Sequence, residues 1–169
     1  MPVNIQENVP ISSLTFYKIG GSARFFVEAK SSEELREAAE WAAVHGLRFF
    51  IVGAGSNILV SDKGYDGMFI RLAGGRITVD GQRLCADAGV MMARAVLESA
   101  KAGLTGLEWG IGVPGTVGGS VRSNAGCFGG EIRQVLESAQ VLEITNHKSQ
   151  ITNKAQNPKH KTQNRPQTF

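Results

Sequence analysis

Two glycine-rich segments carry the chemistry that this sequence offers. The first, Gly53-Ala-Gly-Ser-Asn57, lies between two short apolar runs. Two glycines among short side chains let consecutive backbone N–H groups converge on one point, and Ser56 and Asn57 add side-chain donors. Such an arrangement binds anions, and a diphosphate fits it. The run is not a dinucleotide fingerprint, because Ile58 stands where a third glycine would be and a strand pattern rather than a helix follows. It is not a P-loop either, since no Gly-Lys-Ser/Thr completes it. Taken alone, it is as compatible with an ordinary glycine turn as with a phosphate loop.

The second segment runs from Gly103 to Gly130 and holds ten of the 21 glycines. Its apolar residues Leu104, Leu107, Trp109, Ile111, Val113 and Val117 argue against solvated disorder and for a buried, tightly turning backbone. A path without side chains lets main-chain N–H and C=O groups reach the polar edge of a flat aromatic ligand. A crowded domain corner that binds nothing explains the composition equally well.

Single side chains offer less. Arg122 reads as a solvated arginine and Cys127 as a small buried hydrophobe. His45, next to Gly46 at a helix end, suits the helix dipole rather than catalysis, and His147 and His160 fall in a polar tail. Glu108 is the only acid within the first part of the second segment, where a hydrogen bond to nearby backbone suffices. Cys85 and Cys127 lack the paired spacing of a zinc site and read as free thiols, so no metal is expected.

The elements that must position these segments follow an α+β pattern. An apolar stretch at 24–29 precedes Ser31 and Glu34, the reciprocal pair of a capping box. Leu35, Ala38, Ala39 and Ala42 keep helical spacing, and Gly46 supplies the stop. Residues 48–52 read as a buried strand and 58–60 as a second short one. A strand at 68–72 follows turn signals, and Asp80-Gly81 divides 77–79 from 83–86 as a hairpin. A second helix is predicted over 91–102 with Gly103 as its stop, and a last, irregular strand over 139–144.

Charge divides the chain sharply. Residues 1–144 hold all 15 acidic side chains and 13 of the 18 basic ones, so the body is mildly acidic and offers a phosphate backbone no electrostatic footprint. No nucleic-acid partner is expected. From 145 to 169 the chain is basic and polar, with only Ile151, Ala155 and Phe169 apolar, and reads as a disordered, nonnative tail. There is no apolar run of membrane-spanning length and no signal-peptide pattern, so a cytoplasmic protein with no membrane partner is expected. No protein partner is predicted.

Three ordered motifs then converge. Glu7-Asn-Val-Pro-Ile-Ser-Ser-Leu-Thr-Phe-Tyr-Lys-Ile-Gly-Gly-Ser22, Val52-Gly-Ala-Gly-Ser-Asn-Ile-Leu-Val-Ser-Asp62, and Gly103 to Glu108 with Gly112 to Gly119 and Asn124 to Gly126 resemble UDP-N-acetylenolpyruvoylglucosamine reductase over about residues 5–144. The resemblance implies an FAD-binding domain of the vanillyl-alcohol-oxidase/PCMH type, with two α+β subdomains at about 5–75 and 76–144, cut before the substrate domain. It implies that Gly53, Ala54, Gly55, Ser56 and Asn57 hold the FAD pyrophosphate. Gly112, Pro114, Gly115, Thr116, Gly118, Gly119, Asn124, Ala125 and Gly126 match the family's second flavin-lining segment, from which Trp109-Gly110, Ser123 and Cys127-Phe128 depart.

By the same resemblance NADPH reduces the flavin, which passes a hydride to the enolpyruvyl group of a UDP-sugar on the way to peptidoglycan. A serine protonates, and an arginine and a glutamate stabilise the charge that develops. All three belong to sequence beyond the FAD domain, and the aromatic-Arg-x-Ser motif of that arginine is absent from 145–169. No catalytic residue is assigned. No histidine or cysteine is plainly placed for covalent attachment, so FAD is expected to be noncovalent. The rivals are another FAD-dependent oxidoreductase of the same fold and a noncatalytic flavin-binding module.

Overall fold

The computed structural model describes residues 3–145 and 148–154, and for Thr145 and 148–154 the backbone only. The remaining residues, 155–169 of the tail among them, lie outside the described residues. A four-stranded sheet forms the first half, from β1 (Gln6–Pro10), β2 (Ser22–Ala29), β3 (Phe49–Val52) and β4 (Tyr65–Leu72), in the order β1-β2-β4-β3. β4 runs parallel to both β2 and β3, and β1 is antiparallel to β2. Helix α1 (Ser32–Val44) crosses one face, burying Ala38 and Ala42 against Val27, Ala29, Met68 and Ile70. The other face buries Phe26, Phe69 and Val52 under Ile11, with Leu14, Ile58 and Val60 at its margin.

Alternation along β2 serves both cores, and a register shift between Ala23 and Phe25 puts Ala23 on the same face as Phe26. Ala23 and Phe26 face one way, whereas Val27 and Ala29 face α1. The start of α1 follows the sequence with one change. Ser31 Oγ accepts the Glu34 N–H at 3.2 Å, but the Glu34 carboxylate takes the N–H of Lys30 at 2.7 Å rather than that of Ser31. Hydrogen bonds from its own backbone N–H, then from the Ser31 and Ser32 hydroxyls, hold the Glu33 carboxyl below its usual range. Gly46, at φ +64, ends the helix as expected, with Leu47 N–H on Ala42 C=O at 2.9 Å.

The second half contains the hairpin β5 (Ile77–Asp80) and β6 (Arg83–Ala86), helix α2 (Met92–Lys101), a 3-10 turn at Glu108–Gly112 and helix α3 (Val117–Ser123). The short strands β7 (Gly126–Cys127) and β8 (Gly130–Glu131), helix α4 (Ile132–Val135) and a last pair, β9 (Ala139–Thr145) with β10 (Lys148–Lys154), complete it. Its core is small: Met92, Val96 and Ile132 are buried, with Trp109, Val117 and Val121 partly buried around them.

Four expectations are corrected. Residues 58–60 form no strand, because Ile58 and Val60 fill the margin of the second core and their backbone joins no ladder. Residues 49–52 are an edge strand rather than a buried one, with Phe50 and Ile51 about two-fifths exposed. The glycine-rich path contains α3, a helix despite Gly118 and Gly119, capped by the Thr116 hydroxyl on Gly119 N–H at 3.3 Å. The tail is not wholly unstructured either, since 148–154 pairs antiparallel with β9. A ladder needs only main-chain donors and acceptors, which polar residues supply as well as apolar ones.

Ile70 is fully buried between the sheet and α1. Ile70→Ala should lower unfolding stability by about 2–5 kcal/mol, read from urea denaturation, because a packed site collapses only partly around the cavity. A loss of under about 0.5 kcal/mol would show that this core is not close-packed.

Candidate functional site

The loop leaving β3 is the point at which the two halves meet. A Cβ on Gly53 would lie 2.3 Å from Thr116 Oγ1, and one on Gly55, at φ +67, would lie 2.1 Å from the Leu14 carbonyl oxygen. No side chain fits at either position. Phe16 N–H donates to Gly55 C=O at 2.9 Å, and Ser56 Oγ donates to Pro114 C=O at 3.4 Å. The two segments read separately in the sequence thus face each other, with Leu14–Phe16 behind the first.

Among the described residues, no protein acceptor takes the backbone N–H of Gly53, Ala54, Gly55, Ser56 or Asn57. Gly55 is buried, and Gly53, Ala54 and Ser56 are half-buried. Buried N–H groups nearly always find partners in folded proteins, and these five, of which only Asn57 is exposed, are left open to water or another external acceptor. A cleft of about 380 Å³ opens beside them, lined by Thr15, Phe16, Lys18, Gly53, Ala54 and Arg71 among others. Arg71 lies 5.8 Å over the Phe26 ring and is paired with Glu28, on the sheet face away from α1.

The rest of the second segment divides in two. Pro114, Gly115 and Thr116 border the loop, Thr116 and Gly115 being buried and Gly112 exposed with nothing within 4 Å of a Cβ. Beyond them the donors are used internally. Val117 N–H goes to Val90 C=O at 2.8 Å and Gly118 N–H to Ala88 C=O at 2.9 Å, while Gly119 N–H takes the Thr116 hydroxyl.

Asn124, at φ +47, ends α3. Its Nδ2 donates to Glu131 at 2.7 Å, and its Oδ1 accepts Arg133 N–H at 2.9 Å. Ala125 N–H bonds Ser120 C=O at 2.9 Å, and Gly126 pairs with Glu131. In this geometry Gly118 ties the start of α3 to Ala88, Gly119 closes its cap on Thr116, and Asn124–Gly126 fasten its end to the β7–β8 hairpin and α4.

Glu108 and Arg122 keep their structural readings. Glu108 accepts Gly106 N–H at 2.8 Å, and the His45 ring stacks on Trp41 with 3.8 Å between centroids. Arg122 is exposed without an ion pair among the described residues, and Cys85 and Cys127 are free thiols. Cys127 is half-buried rather than buried. Sequence reasoning missed Lys18 and Arg71 in the cleft. Lys18 stands inside the first quoted motif, where its charge beside two glycines was a usable signal, whereas Arg71 closes a strand and gave none.

A family model described as FAD binding domain matches residues 23–146. The chain belongs to that family. This FAD binding domain is 42% identical over 142 residues to a UDP-N-acetylenolpyruvoylglucosamine reductase from Caldicellulosiruptor bescii, with 83% of this chain and 45% of that protein covered. The same identity holds over 144 residues to the reductase of a Synechococcus strain, covering 83% of this chain and 47% of that protein. The chain therefore spans about half the length of the curated relatives it matches.

Among solved structures, the reductase from Thermus caldophilus superposes with a TM-score of 0.72 at 33% identity, over 89% of this chain and 53% of that one. Cholesterol oxidase from Brevibacterium sterolicum does so with a TM-score of 0.66 at 14% identity, over 90% of this chain and 33% of that one, a likeness of fold alone. The fold is the α+β FAD-binding fold of the vanillyl-alcohol-oxidase type.

Asn124→Ala removes two hydrogen bonds and leaves an alanine in the left-handed region. It should cost about 1–3 kcal/mol in urea denaturation, with Asn124→Gly recovering the backbone share. A neutral Asn124→Ala would show that the α3 end is not held by this amide.

Proposed function

We propose that this chain is the FAD-holding part of a UDP-N-acetylenolpyruvoylglucosamine reductase, with the FAD diphosphate on the backbone of Gly53–Asn57. The observation that supports this reading is the run of unpaired N–H groups at 53–57, closed in by Leu14 on one side and Pro114–Thr116 on the other. A chain whose side chains were absent there but whose donors were all paired would make a mere turn.

Gly53 and Gly55 supply the close approach and Asn57 a side-chain donor, while the Ser56 hydroxyl, spent on Pro114 C=O, leaves that residue its backbone N–H for the diphosphate. Gly112, Pro114, Gly115 and Thr116 border the flavin end of the cofactor, and Gly118, Gly119 and Asn124–Gly126 hold that border in place. This assigns the last five a supporting rather than a contacting role. FAD, bound noncovalently, supplies hydride transfer from NADPH to the enolpyruvyl group of the UDP-sugar in the cytoplasm. The chain's own residues bind and orient the cofactor and keep water from its diphosphate. No residue matching the family motifs is a proton donor or charge stabiliser for that substrate.

FAD should bind the purified chain, quenching or shifting flavin fluorescence, and should leave it on denaturation. Gly55→Val should weaken that binding by about 1–3 kcal/mol, because the added side chain meets Leu14 and resists a positive φ. Arg122→Ala should leave it within about 0.5 kcal/mol, as an exposed side chain without a partner. Circular dichroism and thermal melting run beside the titration, and a folded Gly55→Val chain that binds FAD like wild type removes the loop from the site.

The 169 residues loaded with FAD should give little substrate-dependent NADPH oxidation beside a full-length relative. A positioned acid alone is worth about 10² to 10⁴-fold, and substrate positioning more. Product mass is the readout, since flavin bleaching by NADPH alone decides nothing about the substrate. Comparable turnover would place a catalytic set within these residues.

A further inference from the structure

The cleft beside the nest contains a lysine in an unusual backbone state. Lys18 has φ +58, one of four non-glycine residues with positive φ among the described residues, where glycine is the unstrained choice. The turn around it is tightly built. Thr15, 2% exposed, accepts Lys18 N–H at 3.4 Å, and its hydroxyl donates to Ile19 C=O at 3.3 Å. The next residue, Phe16, is bonded through its N–H to Gly55 of the nest. The turn and the nest are therefore joined directly through the main chain.

The two cations of the cleft differ in what they have to spare. Arg71 is committed to the Glu28 carboxylate and the Phe26 ring. Lys18 meets no carboxylate among the described residues, and its Nζ contact is the Ser13 carbonyl at 3.5 Å. A strained, exposed lysine with an uncompensated charge borders a cleft shared with Gly53 and Ala54, whose N–H groups lack acceptors. The internal contacts of Lys18, its N–H on Thr15 C=O at 3.4 Å and its Nζ on Ser13 C=O at 3.5 Å, are long and leave its charge uncompensated, and backbone strain of this kind clusters at ligand-binding positions.

We propose that Lys18 is the counter-cation of the FAD diphosphate, its ammonium reaching over the Gly53–Asn57 nest from the Thr15–Ile19 turn. This rests on the FAD reading above and adds a binding residue to it. The nest supplies directed but weakly charged donors, and a doubly charged diphosphate in a partly closed cleft needs a full positive charge as well. NADPH and UDP-sugars also carry diphosphates. FAD is favoured because Gly53 and Ala54 belong to both the nest and the cleft.

Lys18→Gly separates binding from structure, since glycine relieves the positive φ while removing the charge. The Lys18→Gly chain should melt at or above the wild-type temperature yet bind FAD about tenfold more weakly in about 0.05 M salt, with the gap narrowing at about 0.5 M as the charge is screened. Lys18→Arg should stay close to wild type. UDP titrated onto the FAD-loaded chain should bind Lys18→Gly and wild type alike or bind neither. FAD affinity within twofold of wild type for Lys18→Gly, a loss equal at both salts, or a loss confined to UDP overturns the proposal while leaving FAD binding intact. A wild-type chain that binds no FAD overturns both.

Discussion

Everything at the site depends on a backbone that has no room for a side chain. At Gly53 the Thr116 hydroxyl occupies the place of a Cβ, and at Gly55 the Leu14 carbonyl does. The loop is thereby clamped between the Ile11–Leu14 turn of the first half and the entrance to α3 in the second. Because both clamps act through close contact and not through its N–H groups, the donors of 53–57 remain available. A longer side chain at either glycine would displace one clamp, and the convergence of those donors would go with it.

The two halves contribute unequally to this arrangement. The first has a core on each face of its sheet, with Ile70 and Met68 wholly buried under α1 and Phe26 and Phe69 under Ile11. The second is built from short helices and two-stranded pairs around a smaller core, in which Met92, Val96 and Ile132 form the buried cluster. Two-stranded ribbons are marginal alone, so the second half relies on specific ties. Met92 N–H to Gly115 C=O at 2.9 Å and Val117 N–H to Val90 C=O at 2.8 Å align the glycine-rich path along the start of α2. A bidentate pair of Arg83 with Glu137, at 2.8 and 2.7 Å, ties β6 to the chain beyond α4. The two main-chain bonds hold Pro114–Thr116 opposite the nest, and the sheet of the first half sets where the nest is.

Local signals were legible where the physics was local. Ser31 with Glu34, Gly46, Gly103 and the turn after Asp80 act through neighbours in sequence, and the helices and the hairpin stand where those residues placed them. Apolar runs were ambiguous. Ile58-Leu-Val60 and Phe49–Val52 look alike as text, yet one is an unpaired margin and the other an edge strand, since pairing depends on which chain lies alongside. Two adjacent glycines disfavour a helix at 117–123, and its first turn is held against that propensity by the N–H groups of Val117 and Gly118, which donate to Val90 and Ala88 C=O.

The sequence by itself determined the fold class, the family and the two backbone segments that lack side chains, because glycine content and motif order are properties of the chain. Only the tertiary structure decided which of those glycines leave donors free. Residues 53–57 do so, whereas Gly118, Gly119 and Ala125 spend their N–H groups on Ala88, Thr116 and Ser120. It alone placed Lys18 and Arg71, 53 residues apart in sequence, in the cleft beside Gly53. The reason is that a hydrogen-bond partner and a neighbouring charge are pairwise facts about separate parts of the chain, and a motif records only one member of each pair.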